Sequence, residues 1–317
     1  KPLSLKDKNI SFLIWTTTPW TLPANYGVAL NADFVYGFYD IGDEVLVVAE
    51  GMKEAVEKDT GLSLSKELMT LKGSEMEKQK ARHPFLDRDS LVVLGDHVTL
   101  EAGTGVVHTA PGHGLEDYVV GQKYGLPVAS PVDEAGRYTK EVAEWQGESI
   151  WDANPKIVEK LRTLGKLVAA KEITHQYAHN PRTKTPLIFR ATPQWFIRMD
   201  DEKFNLRTKC WAAAERDIAY YPKWGIQRLQ SMLANSPDWC VSRQRIWGVP
   251  IPVYYCEKCK SPLVDSGVMN KLADVMEKTG EGMEAYYSHP PSEFTAGHKC
   301  GECKHDKFNI GKDILDV

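Results

Sequence analysis

A glycine-rich stretch from Gly103 to Gly125, GTGVVHTAPGHGLEDYVVGQKYG, constrains the fold of this chain more than any other part of the sequence. Its first apolar residues predict a short buried strand, and the Pro-Gly-His-Gly segment predicts a loop. The following LEDYVVGQKY segment predicts a helix that Gly125 ends. This pattern places His108 on a strand and both Glu116 and Asp117 in the first turn of a helix, so that all three face one glycine-rich gap.

These side chains have more than one explanation. A carboxylate in the first turn of a helix often only stabilises the helix dipole, and a histidine on a strand is often a core residue. A carboxylate at this position can also bind the cationic group of a ligand that lies in the gap. A third option is metal binding by His108, His113 and Asp117, although their spacing does not match a helical zinc pattern such as H-E-x-x-H.

A second stretch, SFLIWTTTPWTLPAN (Ser11 to Asn25), predicts a strand that leads into a short helix. The β-branched and aromatic run up to Thr16 predicts a buried strand. Thr18 followed by Pro19 is typical of a helix start. The hydroxyls and free N–H groups at this junction suit a ribose, a phosphate or a developing oxyanion. Alternatively, the threonines only bond their own backbone in a capped turn.

Both stretches resemble the editing-domain signatures of isoleucyl-tRNA synthetases, a class I family. PLIFRATPQWF (Pro186 to Phe196) and DWCVSRQRIWGVPIP (Asp238 to Pro252) resemble the segment where the same enzymes return to their catalytic core, and the final DILDV resembles the start of a later core segment. Thr17-Thr18-Pro19-Trp20 stands where valyl and leucyl relatives typically carry Thr-Thr-Arg-Pro. The resemblance therefore favours an isoleucyl type over a valyl or leucyl type, and we expect a piece of a larger synthetase.

The expected fold class is mixed α/β in three parts. We expect residues 1–190 to form a β-barrel-like editing domain decorated with helices, as in the resembled family. Residues 191–253 are expected to form a helical segment that returns to the catalytic core, and residues 254–317 a small zinc-ribbon-like module.

Four further helices are predicted from pattern and end signals. Gly61 ends the first, which starts at Met52. The second is predicted to start at Asn154-Pro155, an N-cap followed by proline, and to end at Gly165. Amphipathic patterns predict the other two, over Asp201 to Arg216 and Gly225 to Ala234.

Four of the six cysteines form two Cys-x-x-Cys pairs, a pattern typical of a tetrahedral thiolate site for structural zinc. The predicted ligands are Cys256, Cys259, Cys300 and Cys303. His298 and His305 lie close enough in sequence to replace one of them. Disulfides are not expected in a cytosolic chain.

Composition limits the partners of this chain. Among 317 residues, 39 basic and 43 acidic side chains give a formal charge of −4, so any contact with RNA must be a local patch. The sequence has no apolar run of membrane-spanning length and no signal-peptide pattern. We expect a cytoplasmic, monomeric protein without a membrane partner.

The resemblance implies post-transfer editing, the hydrolysis of valine wrongly attached to tRNA(Ile). Asp117 is expected to bind the α-ammonium group, with Glu116 as the alternative, and His108 to line the side-chain pocket and exclude isoleucine. Water is the expected nucleophile, with a ribose hydroxyl assisting. The predicted catalytic residues are Asp117, Thr16, Thr17, Thr18 and His108. The predicted substrate-binding residues are Trp15, Thr21, Asn25, His113 and Glu116.

Two other function classes stay open at this point. One is a metal-dependent hydrolase built on His108, His113 and Asp117, and the other is a non-catalytic tRNA-binding module built on the zinc ribbon. The family's activation signatures, His-Ile-Gly-His and Lys-Met-Ser-Lys-Ser, are absent. We therefore expect ATP and magnesium to act only in the full-length parent, and the remaining partners to be tRNA(Ile), valine and the rest of the parent chain.

Overall fold

The computed structural model describes residues 8–174, 176–244 and 248–315. Arg245 to Trp247, within the predicted core-return motif, and the last two residues of the final DILDV segment lie outside the described residues. The chain divides into two compact units, Lys1–Thr192 and Pro193–Val317. Among the described residues, no helix is both long enough and apolar enough to span a membrane.

The first unit contains two four-stranded sheets. Its strands are β1 Asn9–Phe12, β2 Gly27–Leu30, β3 Val35–Asp40, β4 Glu44–Ala49, β5 Glu67–Lys72, β6 Lys80–Arg82, β7 Asp89–Leu94 and β8 Val107–Thr109. One sheet has the order β1-β4-β3-β5, with β1 parallel to β4 and the other neighbours antiparallel. The other has the order β6-β7-β2-β8, with only β2 and β7 parallel to each other.

Helices complete the first unit, and the mixed α/β class is confirmed. The α-helices are α1 Lys53–Thr60, α2 Leu115–Tyr124 and α3 Ile150–Thr163, and the 3-10 helices are Pro19–Ala24, Glu50–Met52, Gly73–Met76 and Lys140–Trp145. The described strands form two separate sheets and do not close into a barrel. The α2 boundaries agree with the prediction, and Gly125 adopts the left-handed conformation that ends the helix.

One apolar core joins the two sheets of this unit. Buried side chains from both sheets share a single cluster, including Val28 of β2, Phe38 of β3 and Val47 of β4. Strands β2 and β4 are almost continuously buried, which explains their runs of apolar residues without polar alternation. Each fully buried side chain of this size contributes about 1.5–3 kcal/mol to folding.

Two predictions in the first unit need correction. The predicted strand from Ser11 to Thr16 is shorter and earlier, because β1 pairs with β4 only through Phe12; beyond it, Trp15 makes an isolated bridge to Val107. The predicted helix start at Asn154-Pro155 is wrong, because α3 begins at Ile150 and contains the proline.

The earlier start of α3 follows from its buried face. Ser149 is the N-cap, and its hydroxyl accepts a hydrogen bond from the N–H of Trp151 at 3.2 Å. Ile150, Ala153 and Ile157 are fully buried at helical spacing, so burial of this face outweighs the backbone hydrogen bond lost at the internal proline. The sequence signal at Asn154 has another role, since its side-chain oxygen accepts the N–H of Trp20 at 2.8 Å.

The second unit combines helices with short strands. Its helices are α4 Leu206–Arg216, α5 Gly225–Asn235, α6 Ser266–Thr279, α7 Glu284–Ser288 and α8 Pro291–Thr295. Its strands are β9 Phe196–Ile197, β10 Trp239–Cys240, β11 Ser242–Arg243, β12 Tyr254–Cys256, β13 Pro262–Leu263, β14 Phe308–Ile310 and β15 Ile314–Leu315. The helix predicted from Asp201 begins at Leu206, because Asn205 accepts the N–H of Thr208 as its N-cap. Strand β12 lies between β13 and β14 beside the buried cysteines.

Candidate active site

A cavity of about 350 Å³ in the first unit brings most of the predicted site residues together. Its walls come from the threonine segment, the loop before β8, and the stretch from β8 into α2. The predicted residues that line it are Trp15, Thr16, Thr17, Thr18, Thr21, His108, His113 and Asp117. The volume lies in the range of small-molecule sites. The two distant sequence stretches therefore form one concave surface.

Two predicted site residues do not line the cavity. Asn25 is buried and bonds the ring of His108, so it would contact a ligand only through that ring. Glu116 is exposed on α2 and does not belong to the lining surface that includes Asp117. Of the two carboxylates offered by the sequence, the structure places Asp117 at the cavity.

The threonine segment offers unequal hydrogen-bonding groups. Thr16 accepts the N–H of Thr18 through its hydroxyl at 3.0 Å, and the hydroxyls of Thr18 and Thr21 lie 3.5 Å apart. Part of the segment therefore bonds its own backbone, as a capped turn does. Thr17 is exposed and has no hydrogen-bond partner among the described residues, so both its N–H and its hydroxyl are available to a ligand.

Asp117 lies in the first turn of α2 and is held by backbone. Its Oδ2 atom accepts the N–H of Ala110 at 2.8 Å. Close packing requires glycine on both sides of the loop: a Cβ atom at Gly114 would lie 2.9 Å from Cγ of Asp117, and one at Gly112 would lie 2.0 Å from the carbonyl oxygen of Ala129. The glycines therefore let the loop bring the carboxylate close to strand β8.

The charge of the cavity is concentrated on Asp117. Among the described residues that line it, Asp117 is the only carboxylate and there is no lysine or arginine. Burial raises the pKa of this carboxyl, partly offset by the Ala110 N–H. A half-buried carboxylate of this kind gains from a cationic partner, whereas a phosphate would be repelled. The cavity thus fits an ammonium group.

His108 is fixed in one tautomer by a chain of hydrogen bonds. The amide of Asn25 donates to Nδ1 at 2.6 Å, and Nε2 lies 2.9 Å from the hydroxyl of Thr21. Because that hydroxyl donates to the carbonyl of Thr18 at 2.9 Å, it accepts from Nε2–H. Burial lowers the pKa of His108 to about 3, so the ring is neutral. With both nitrogens engaged, His108 has no free lone pair for a metal or a proton.

His113 is the second predicted imidazole at the cavity. Its Nδ1 atom lies 2.8 Å from the carbonyl oxygen of Phe189 and donates to it, and its ring packs edge-on against Trp20 at 4.9 Å between centroids. Burial lowers the pKa of His113, so this ring is also biased toward the neutral form. Its Nε2 atom is buried without a partner among the described residues.

The four predicted zinc ligands form one cluster in the second unit. Their Sγ atoms all lie within 4.8 Å of one another, with Cys256 and Cys303 at 3.5 Å and Cys259 and Cys300 at 3.4 Å. A tetrahedral Zn–S₄ site with bonds of about 2.3 Å has sulfur separations of about 3.8 Å. The cysteines are free, so these residues fit a metal of this geometry.

Two equivalent turns build this cluster. The carbonyl of Cys256 accepts the N–H of Lys260, and that of Cys300 accepts the N–H of Lys304, both at 3.0 Å. Both lysines adopt left-handed backbone conformations, with φ of 62° and 61°. His298 and His305 do not belong to the cluster and instead lie beside carboxylates. The sequence alternative with a histidine ligand is therefore not found among the described residues.

A family model described as tRNA synthetases class I (I, L, M and V) matches residues 7–317. The chain belongs to this family. Two isoleucine–tRNA ligases among its curated relatives cover essentially the whole chain. That of Syntrophotalea carbinolica is 48% identical over 320 residues, 100% of this chain and 34% of the relative, and that of Caldicellulosiruptor bescii is 46% identical over 316 residues, 99% and 34%. The predicted resemblance to isoleucyl-tRNA synthetases is confirmed.

This class I synthetase chain spans about a third of the length of the curated relatives it matches. Among solved structures, the P. knowlesi cytosolic leucyl-tRNA synthetase editing domain is similar to this chain, with 14% identity and a TM-score of 0.40. The match covers 50% of this chain and 83% of that domain's chain.

Several described lining residues of this synthetase chain were not predicted as site residues, and the one among them with a titratable side chain is His97. His97 lines the cavity, and its Nε2 atom is buried without a hydrogen-bond partner among the described residues. In sequence, Gly95-Asp96-His97 has the composition of a turn, and it lies after β7 and before the glycine-rich stretch. The available signal was a histidine shortly before the glycine-rich stretch. A histidine in a turn is rarely recognisable from sequence as a site residue.

Proposed function

We propose that this chain carries the editing site of an isoleucyl-tRNA synthetase and hydrolyses valyl-tRNA(Ile). The observation that carries the proposal is the cavity in which Asp117, the only lining carboxylate among the described residues, faces the threonine segment. An aminoacyl ester has an α-ammonium group at one end and a ribose at the other. The cavity offers an anion for the first and hydroxyl and N–H groups for the second.

The need for such a site comes from the limits of selective binding. An apolar pocket that accepts isoleucine cannot strongly reject valine, because one methylene is worth only about 1–3 kcal/mol, as is well established for this enzyme family. A second pocket that admits valine but excludes isoleucine removes the wrongly charged product. We assign that exclusion to the buried ring of His108, whose hydrogen bonds to Asn25 and Thr21 hold it rigidly.

The other lining residues supply position. Thr17, which has free N–H and hydroxyl groups, would bind the ester carbonyl or the ribose, while Thr16 and Thr18 keep its backbone in place. Trp15 is 46% exposed at the cavity and offers a face for the terminal base. His113 closes the wall beside Trp20. Bound in this way, the ester is oriented for attack, and positioning supplies much of the rate.

Water is the nucleophile in this proposal. The described lining residues include no cysteine or lysine, and no serine-histidine pair, that would form a covalent intermediate. The hydroxyl next to the ester on the terminal ribose would assist the attack. The products are free valine and tRNA(Ile) with an intact terminal ribose.

We place structural zinc on Cys256, Cys259, Cys300 and Cys303. The sulfur separations support this assignment, and four thiolates leave no open position for substrate. When bound, the metal would cross-link the turns at Cys256 and Cys300. None of the four cysteines lines the cavity, so the metal has no part in the hydrolysis.

The remaining partners follow from membership in the synthetase family. We propose that the chain works in the cytoplasm as part of a monomeric isoleucine–tRNA ligase, with tRNA(Ile) as macromolecular partner. ATP and magnesium would serve only the activation reaction elsewhere in that ligase.

The alternatives find less support in the described residues. A metal-dependent hydrolase would need His108 as a ligand, yet both of its nitrogens are engaged. A purely RNA-binding zinc module would leave the cavity and its half-buried carboxylate, Asp117, without a role. A valyl or leucyl type is disfavoured by the isoleucine–tRNA ligases that match nearly the whole chain.

The test compares deacylation of valyl-tRNA(Ile) and isoleucyl-tRNA(Ile). We expect rapid hydrolysis of the valyl ester alone, its loss in Asp117→Ala, and a gain of isoleucyl hydrolysis in His108→Ala. Binding of adenosine that carries valine through a 3′-amide, measured by calorimetry, tests the cavity without relying on tRNA affinity. The proposal is wrong if the amide does not bind and if a ligase that contains this chain and has the full length of its relatives cleaves neither ester. Equal cleavage of both esters by the unmodified chain would contradict the role of His108.

A further inference from the structure

Among the described residues, three imidazoles line the cavity, and they differ in how their ring nitrogens are used. His108 uses both, and His113 uses Nδ1. In the part of the chain that the structure describes, His97 makes no hydrogen bond through either nitrogen, and its Nε2 atom is buried. An unpaired buried polar atom is unfavourable, so a native structure keeps one mainly where a ligand or water will meet it.

Local packing holds His97 at the cavity. It lies in the turn after β7, in which the N–H of Val98 bonds the carbonyl of Gly95 at 3.3 Å. The imidazole lies directly over Gly95, where an added Cβ atom would come within 2.7 Å of Nδ1. Glycine at this position therefore leaves room for the ring, which places an unengaged imidazole in the same cavity as Asp117.

The surroundings of His97 suit a group that takes up and releases a proton. When protonated, His97 lowers the pKa of Asp117, against the larger effect of burial, so the two groups are within electrostatic reach. The other titratable groups among the described lining residues are His108 and His113, both held toward their neutral forms by burial. His113 also has an unpartnered Nε2, but its Nδ1 is engaged by the carbonyl of Phe189 and burial lowers its pKa.

We infer that His97 is the catalytic proton-transfer residue for hydrolysis of the aminoacyl ester. This inference rests on the proposed editing function and adds the group that activates water. Imidazole is the side chain most often used for proton transfer near neutral pH. Asp117 would hold the α-ammonium group while His97 acts on the water that approaches the ester carbonyl.

The proton and electron balance of this step is simple. The oxygen of water forms a bond to the ester carbonyl carbon as one of its protons moves to a ring nitrogen of His97. The bond between that carbon and the ribose oxygen then breaks, and His97 returns the proton to the ribose oxygen. The new carboxylic acid releases its own proton to solvent. No oxidant or reductant takes part.

The test uses His97→Gln in the ligase that contains this chain, because glutamine keeps hydrogen bonding but cannot transfer a proton in this way. We expect the maximal rate of valyl-tRNA(Ile) hydrolysis to fall by about 100-fold or more, with binding of the 3′-amide analogue changed less than about threefold. The wild-type rate should decline at acidic pH, because a base that already carries a proton cannot take one from water, and the variant should lose that decline. Asp96→Asn, an exposed neighbour outside the lining surface, is the matched control and should behave as wild type.

A second variant separates proton transfer from a structural role. His97→Ala removes the ring, and added imidazole should restore part of the hydrolysis rate in this variant but not in Asp117→Ala. Unchanged hydrolysis by His97→Gln, in an enzyme that Asp117→Ala inactivates, would overturn the inference and leave the editing function intact. A loss of rate with an unchanged pH profile and no imidazole rescue would also overturn it. If instead only His113→Gln removes the acidic decline, the proton-transfer residue is His113.

Discussion

The Nδ1 atom of His108 lies 2.6 Å from the side-chain amide nitrogen of Asn25, and this contact fixes the state of the imidazole. An amide nitrogen can only donate, so Nδ1 carries no proton. The proton is on Nε2, facing the hydroxyl of Thr21. Asn25 is itself held by the hydroxyl of Ser90, which donates to its side-chain oxygen. Asn25, which lies 83 positions before His108 in the sequence, thus holds that ring as a rigid, neutral part of the cavity wall.

Replacing Asn25 with aspartate should reverse this arrangement. A carboxylate can only accept, so Nδ1 must acquire a proton and the pKa of His108 should rise. Nitrogen-15 NMR of the ring should report an Nδ1–H form or an imidazolium where the native chain has Nε2–H. Ser90→Ala, which leaves the amide donor in place, should keep the native tautomer. Identical ring spectra for Asn25→Asp and the native chain would contradict the hydrogen-bond assignment.

The two adjacent carboxylates of α2 should differ in function. Asp117→Asn keeps the shape and the Ala110 contact but removes the charge, so the valyl 3′-amide analogue should bind about 10- to 100-fold more weakly. Glu116→Gln is the matched neutralisation one residue away on the exposed side of the helix, and calorimetry should find its effect below about twofold. A larger loss in Glu116→Gln than in Asp117→Asn would reverse our assignment of the ammonium site.

The same substitution should not cost stability. Burial raises the pKa of Asp117, so the carboxyl binds its proton more tightly in the folded than in the unfolded chain. Above both pKa values the charged group therefore disfavours folding, and removal of the charge relieves that cost. In thermal unfolding at neutral pH, the midpoint temperature of Asp117→Asn should equal or exceed that of the native chain. A clearly lower midpoint would mean that the carboxylate mainly stabilises α2.

The sequence predicted those parts of the site that depend on local chemistry. The helix ended by Gly125, the Thr18-Pro19 helix start and the paired cysteines are all set by residues close in sequence. In the described residues, the family's barrel-like core takes the form of two sheets joined by one apolar cluster, an arrangement that depends on strand pairing across the chain.

What the sequence could not predict depends on tertiary contacts. Asn154-Pro155 has the pattern of a helix start, yet buried contacts of Ile150 and Ala153 extend α3 past it. His97 and Asn25 were hard to assign for the same reason. His97 has the sequence context of a turn residue and reaches the cavity only through folding. Asn25 has the context of a ligand contact but supports the ring of His108 instead.

His83 should make the first unit sensitive to acid. Its Nε2–H donates to the carbonyl of Leu22 at 2.9 Å, and its Nδ1 accepts the N–H of Leu86 at 3.0 Å, so the buried ring is neutral. Burial lowers its pKa from 6.5 to about 4, and the unfolded chain therefore binds more protons between these values. The stability is fully present above pH 6.5 and decreases as the pH falls toward 4. This residue alone should remove about 2 kcal/mol between pH 7.5 and pH 5.

Urea unfolding at a series of pH values measures this effect. His83→Gln should be less stable at pH 7.5 because it loses a buried hydrogen bond, yet its free energy of unfolding should depend less on pH than that of the native chain. An equally steep pH dependence in both would show that other groups cause the acid sensitivity.

Metal removal should affect the cysteine cluster without stopping hydrolysis. Thiolates held within 4.8 Å of one another repel unless a cation neutralises them, so the two turns at Cys256 and Cys300 should lose their order when a chelator removes zinc. Metal analysis should find one zinc per chain in the native protein and much less in Cys300→Ser. His298→Ala and His305→Ala should keep full zinc content, because neither ring belongs to the cluster. After a chelator has removed the zinc, amide hydrogen exchange should increase across residues 254–315, while binding of the valyl 3′-amide analogue persists. Loss of ester hydrolysis on chelation with unchanged exchange in that region would instead favour a metal-dependent hydrolase.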